Sequence, residues 1–148
     1  MSDSQLHDVD SQAATTALAP KLERLLSVPA PPVPNNADAT TLLVTLPPGS
    51  PGSPPHRHPG PAFGYVIKGE VIIEVEGESP RVVKAGEAFW EPGGDVIHYH
   101  DGNNLRDAES AFVVTMFGAA DQPMLVPVGA DELEQRRDRR AGESPQSS

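Results

Sequence analysis

From residue 40 to residue 128 the chain is a succession of short apolar runs, each closed by turn-forming or polar residues: TTLLVTL, FGYVIKG, EVIIEVEGE, PRVVKAG, EAFWEPG, DVIHYHDG, SAFVVTMFG and MLVPV. β-Branched and aromatic residues dominate these runs, as suits a pleated, half-buried surface. In VIIEVEGE, Glu74 and Glu76 alternate with Ile73 and Val75, the period of two expected of a strand with one solvated face. Eight such runs at regular spacing predict an all-β sandwich or barrel. There is no internal repeat, no G-x-G-x-x-G and no P-loop.

The flanks read differently. Residues 1–36 are rich in Ser, Ala, Asp and Pro and contain one helix-like patch, TTALAPKLERLLSV, with Leu18, Leu22, Leu25 and Leu26 near helical spacing. That patch is expected to pack on the outside of the domain or on a second subunit. VPAPPVPNN, residues 28–36, reads as a stiff extended linker, because consecutive prolines fix φ and remove amide donors. The folded unit is therefore expected over residues 37–128. After it, residues 129–148 read as a charged helix, ADELEQRRDRR, and a disordered tail, AGESPQSS.

Composition narrows the function classes. A chain of 148 residues holds one domain of ordinary size, and it has no apolar run of about 20 residues that would cross a membrane. The start, MSDSQLHDVDS, has neither the basic-then-apolar order of a secretory signal nor the arginines of a mitochondrial one, so a cytoplasmic location is expected. With no cysteine, any metal must be held by nitrogen and oxygen. A net charge of −10 argues against nucleic-acid binding, since backbone phosphates would be repelled. The basic cluster RRDRR, residues 136–140, reads as the solvated end of the C-terminal helix.

The five histidines carry the chemistry. His56 and His58 lie two apart in PPHRHPG, and His98 and His100 lie two apart in DVIHYHDG; the fifth, His7, lies in the N-terminal arm. Residues i and i+2 of a strand point to one face, so each pair projects two imidazoles together. Neutral imidazole is the commonest side-chain ligand of first-row metals, and unpartnered buried rings are costly. Tyr99, between the second pair, should face the other side of its strand. Glu91 is placed to hydrogen-bond a ligand histidine, and turn chemistry accounts for Asp95. Phe63, Tyr65, Phe89, Trp90, Phe112 and Phe117 read as barrel packing, with some of them lining the mouth beside the metal.

Residues 40–128 resemble a small single-domain cupin of the double-stranded β-helix, or jelly-roll, type. The first motif of that family is broadly G(x)5HxH(x)3-4E(x)6G, matched here by His56, His58 and Gly69. The second is broadly G(x)5PxG(x)2H(x)3N, matched by Gly86, Pro92 and Gly94, with His98 one position late, which implies an insertion or bulge near Ile97. The resemblance implies a cupin barrel with an N-terminal arm and a short C-terminal helix, a divalent metal on His56, His58 and His98, and a homodimer. Where the first motif supplies a glutamate ligand, counting arrives at Ala62, so the three-histidine, one-glutamate set is incomplete. His100 is then a further ligand or the acid and base of catalysis.

The quoted stretches are also similar to small fungal cupins that accompany polyketide biosynthetic enzymes. That similarity implies a non-haem metal-dependent oxidoreductase tailoring a small aromatic or polyketide-derived molecule of secondary metabolism. Fe(II) is the first expectation for the metal; Zn, Ni, Mn and Cu are compatible with the same ligands. A metal-dependent lyase or isomerase, and a non-catalytic small-molecule-binding cupin, are the alternatives.

Overall fold

The structure is a computed structural model that describes residues 18–141. Nine strands are formed among the described residues: β1 (Ala37–Leu46), β2 (His56–Arg57), β3 (Ala62–Lys68), β4 (Glu70–Val75), β5 (Arg81–Lys84), β6 (Ala88–Glu91), β7 (His98–His100), β8 (Ser110–Ala119) and β9 (Val126–Pro127). Each of the eight apolar runs contains one of them. The ninth, β2, is a two-residue strand inside the proline-rich lead-in, where the apolar pattern has no run. Helix α1 (Ala130–Gln135) follows, and then a 3-10 turn over Arg137–Arg139.

The strands form two antiparallel sheets, one of order β1-β8-β3-β6 and one of order β5-β4-β7-β2-β9. This is the jelly-roll arrangement expected from the sequence. Alternation decides which side chains enter the space between the sheets. Ala62 and Val66 of β3, Val71, Ile73 and Val75 of β4, Phe89 of β6, and Phe112 and Val114 of β8 are buried there in one cluster. Gly64 falls in the same inward series, and a Cβ on it would stand 2.2 Å from the Phe89 ring. The missing side chain is thus what lets Phe89 cross the interior to meet Phe112 edge to face.

Three expectations change. Leu18 is helical, but residues 19–34 contain no helix, so the leucine patch does not continue as one beyond Leu18; Pro20 supplies no amide hydrogen and biases Ala19 away from helical angles. Leu18 and Leu22 are left almost fully exposed. Residues 29–34 form neither helix nor strand and line a groove with Trp90 and Pro92. On β4, Glu74 is 4% exposed rather than wet. The reason is the C-terminal segment: Arg140 makes two hydrogen bonds to the Glu74 carboxylate, at 2.6 and 2.7 Å.

The same segment corrects the reading of residues 136–140 as a solvated helix end at Arg136, and in part at Arg140. Arg136 is buried and bonds Glu76, the Asp95 carboxylate at 3.0 Å and Glu132 at 3.2 Å. Arg140 lies 4.5 Å from the centre of the Tyr99 ring. Arg137, Asp138 and Arg139 keep to the solvent side, and Arg140 is half exposed. α1 itself ends at Gln135, shorter than the run of charges implied. The expected disordered tail, from residue 142 on, lies outside the described residues, as do His7 and residues 1–17 of the arm. Among the described residues no helix is long and apolar enough to cross a membrane.

Candidate metal centre

The two halves of the centre are brought together by strand pairing. β2 lies beside β7, with His56 directly opposite His98. β2 ends at Arg57, and the chain leaves the sheet at His58, where Pro59 follows. A second crossing fixes that departure: Gly94 donates its amide hydrogen to the His58 carbonyl at 2.8 Å. The loop after β6 can come this near because Gly93 lies against Gly60, where a Cβ would be 2.2 Å from backbone carbon. His58 and the end of β6, which carries Glu91, are held side by side.

The imidazoles of His56, His58 and His98 meet in the interior. Their ring centroids are 4.8, 5.5 and 4.6 Å apart, and one nitrogen from each falls within 4.8 Å of the others. All three rings are at most 3% exposed.

The tautomer of each ring follows from its outer contact. His56 Nδ1 lies 2.7 Å from the Pro54 carbonyl, His58 Nδ1 2.9 Å from the Met124 carbonyl, and His98 Nε2 2.8 Å from the Pro92 carbonyl. A carbonyl can only accept, so each of these nitrogens carries the hydrogen. In the neutral rings the lone pairs then belong to His56 Nε2, His58 Nε2 and His98 Nδ1. That donor set suits a divalent transition metal, and the three residues could hold one. Burial lowers the pKa of His56, which favours the neutral, ligating form.

Glu91 completes the floor of the cluster. It is 6% exposed, and its Oε2 lies 2.7 Å from His98 Nδ1 and 3.2 Å from His58 Nε2. Burial pushes this carboxyl up, but the hydrogen bonds and charges of His58 and His98 outweigh burial and bring it to about 2. For His58, burial acts downward, and the Glu91 carboxylate, the Met124 carbonyl and Asp101 together outweigh it, so the net shift is a rise.

His100 is not among the rings that meet. It lines a hollow of about 340 Å³ with Ser50, Pro51, Ile72, Asn103 and Arg106. The irregularity expected near Ile97 lies two residues later: β7 pairs His98 with Val75 and His100 with Glu74, so Tyr99 is the extra residue opposite one step of β4. Tyr99 faces away from the histidines, packing with Ile97 and Val128. The aromatic residues divide in a way the sequence did not show. Phe89 and Phe112 fill the core, while Phe63, Trp90 and Phe117 pack together on the outer face of the first sheet, away from the metal mouth. The carbonyls of Pro54, Pro92 and Met124 were invisible to sequence reading, since any residue type carries one.

Comparison with known proteins agrees with this architecture. Among solved structures, a cupin-like protein from Thermotoga maritima superposes with a TM-score of 0.52 at 22% identity, covering 71% of this chain and 75% of its own. The DMSP lyase DddQ from Ruegeria pomeroyi gives 0.53 at 22% identity, covering 64% of this chain and 44% of the lyase. An oxalate oxidase in complex with the substrate analogue glycolate gives 0.47 at 25% identity, over 79% and 73% of the two chains. The first two likenesses concern the fold alone. No curated protein matches. The cupin domain model matches residues 42–116, about half of the sequence, and with the two sheets and the histidine cluster in place the chain belongs to the cupin family.

Proposed function

We propose that the protein is a metal-dependent oxidoreductase acting on a small organic molecule in the cytoplasm. The observation that carries this reading is the convergence of three imidazole lone pairs, each fixed by a backbone carbonyl on the far nitrogen. Such a cluster is costly to bury without a cation, so its presence in the barrel favours a bound metal over packing alone. Fe(II) is the metal we assign first; when bound it would supply Lewis acidity and one-electron chemistry. His56, His58 and His98 would hold it, and the carbonyls of Pro54, Met124 and Pro92 would keep their rings oriented.

The finer assignment, an aromatic or polyketide-derived substrate of secondary metabolism, is supported by the sequence resemblance to small fungal cupins. The outward stacking of Phe63, Trp90 and Phe117 removes the argument that these rings hold the substrate at the metal. A homodimer is part of the same proposal. Its support is the outer face of the first sheet, where Leu43, Tyr65 and Ile67 are exposed beside that aromatic group, together with the exposed Leu18 and Leu22 of the arm. Sedimentation at the mass of one chain would count against it.

A second reading, a cupin that binds without turning over, is favoured by the near-complete burial of all three rings, because structural metal sites are closed and catalytic ones keep a position open. Anaerobic reconstitution with Fe(II), followed by candidate aromatic substrates and oxygen, separates the two. An oxidised product with matching oxygen uptake is expected. Turnover at an unchanged rate without oxidant, giving an isomer or a cleaved acid, would make the protein a lyase or isomerase. Saturable ligand binding with no turnover on any metal would establish the binding role.

A further inference from the structure

A carboxylate that merely orients a metal-ligating imidazole sits at the nitrogen pointing away from the metal. In this centre those nitrogens are already taken by the carbonyls of Pro54, Met124 and Pro92. Glu91 instead meets His58 Nε2 and His98 Nδ1, the two atoms whose lone pairs point inward. The carboxylate oxygen and these two nitrogens need a shared cation between them: protons on the rings in the metal-free protein, a metal ion when one is bound. Among the described residues no lysine or arginine forms an ion pair with Glu91; its recorded charged contacts are these two histidines.

Strand register explains how the carboxylate comes to be there. β3 and β6 are antiparallel neighbours, and Ala62 is directly opposite Glu91. Side chains of opposed residues share one face of a sheet, with Cβ atoms about 5 Å apart. The position at which the family's first motif places its glutamate is Ala62, fully buried and reduced to a methyl group. Glu91 enters the same part of the barrel from the adjacent strand.

The His58 distance matches a shared ion, and the His98 distance is shorter, that of a hydrogen bond which a bound ion would lengthen. Nitrogen and oxygen donors about 2.1 Å from a divalent metal stand about 3.0 Å apart at right angles and about 3.4 Å apart in a tetrahedron. The Glu91 oxygen is 2.7 Å from one histidine donor and 3.2 Å from the other.

We propose that Glu91 is the fourth ligand of the centre, so that its donor set is three nitrogens and one oxygen, with the carboxylate supplied by β6 in place of β3. The proposal rests on the reading of His56, His58 and His98 as a metal site and changes its chemistry. One negative charge offsets half of a divalent ion. A six-coordinate metal keeps two positions for substrate or oxygen, whereas a four-coordinate one keeps none, so the site would favour turnover with iron or manganese over zinc.

Titration of metal-stripped protein with Co(II), followed by affinity and by visible d–d absorption, tests this. Wild type should bind one equivalent. Glu91→Gln keeps the volume and a hydrogen-bond acceptor, so an orienting role would survive it; loss of a ligand should weaken binding by about 100-fold and alter the absorption bands. The double variant Ala62→Glu with Glu91→Ala returns the carboxylate to the opposed strand and should recover at least about tenfold of the lost affinity. Wild-type affinity and bands in Glu91→Gln would overturn the assignment while leaving the three-histidine site standing. Should that variant fail to fold, a crystal structure of metal-loaded wild type decides, and Glu91 oxygens more than about 3 Å from the ion would refute it. Failure of wild type to bind Co(II), Mn(II) or Fe(II) would remove the metal reading and the proposal with it.

Discussion

The two H-x-H pairs have identical spacing and different fates. His56 and His58 both point a ring into the centre, whereas of His98 and His100 only the first does. In a regular strand, residues i and i+2 lie about 7 Å apart with parallel side chains, which share a face without meeting. β7 runs through both of its histidines, so His100 is carried one pleat beyond the cluster, and the extra residue at Tyr99 adds a local bend. β2 stops after Arg57, and the turn at His58 swings its ring to within 4.8 Å of His56, centre to centre. Convergence of neighbouring side chains thus requires the chain to leave the strand. Spacing alone supplies a common face but not a common point.

The largest expected effect breaks the first pair. His58→Ala removes one lone pair from the centre and leaves Glu91 without one of its two histidine contacts. Metal content after purification should fall by about 100-fold or more, a ligand mattering more than the partners that orient ligands. Elemental analysis gives the content, and circular dichroism should still report the β signal. Full metal retention would refute the role of the first pair.

The next effect concerns what holds the second pair from outside. Arg136 ties Glu76, after β4, to Asp95, before β7, and both Arg136 and Glu76 side chains are only 10% exposed. Arg136→Ala leaves a buried carboxylate unpaired, so urea unfolding of the metal-free protein should show a loss of roughly 3 kcal/mol, at the lower end for a broken buried pair because Asp95 is open to water. Arg140→Ala should cost less, about 1 kcal/mol. Its side chain is half exposed, which screens the pair, and its removal opens the Glu74 carboxylate to water rather than leaving it buried and unpaired; its stacking on Tyr99 adds a small amount. Equal losses for the two variants would mean that burial does not set the strength of this clasp.

Much of this was legible in the sequence, for identifiable reasons. The eight apolar runs each became a strand because alternation and turn residues act locally, over the length of one strand. The three converging histidines were legible because burying polar rings narrows the uses they can have. Three features were not. The solvated reading of Glu74 failed because the residues covering it lie more than 60 positions away, in the C-terminal segment. The leucine patch looked helical by spacing, although Pro20 within it opposes a helix. Glu91 was recognisable as a partner of a ligand histidine, but which nitrogen it meets depends on three backbone carbonyls that carry no residue signature.

The smallest effect should come from the odd member of the second pair, and it sharpens the comparison most. If convergence depends on leaving the strand, His100→Ala takes nothing from the metal. Its ring lies in another hollow, and substitutions without shared partners act independently, so Co(II) affinity should stay within about twofold of wild type. The ring is only partly buried, and stability should fall by no more than about 1 kcal/mol. Turnover is the informative readout, since His100 was expected from the sequence to act as an acid and base. A fall in kcat with metal content unchanged would give His100 a role reached from the hollow lined by Ser50, Asn103 and Arg106. A drop in metal affinity comparable to that of His58→Ala would mean instead that both pairs supply ligands, and the contrast between a strand that ends and a strand that continues would fail.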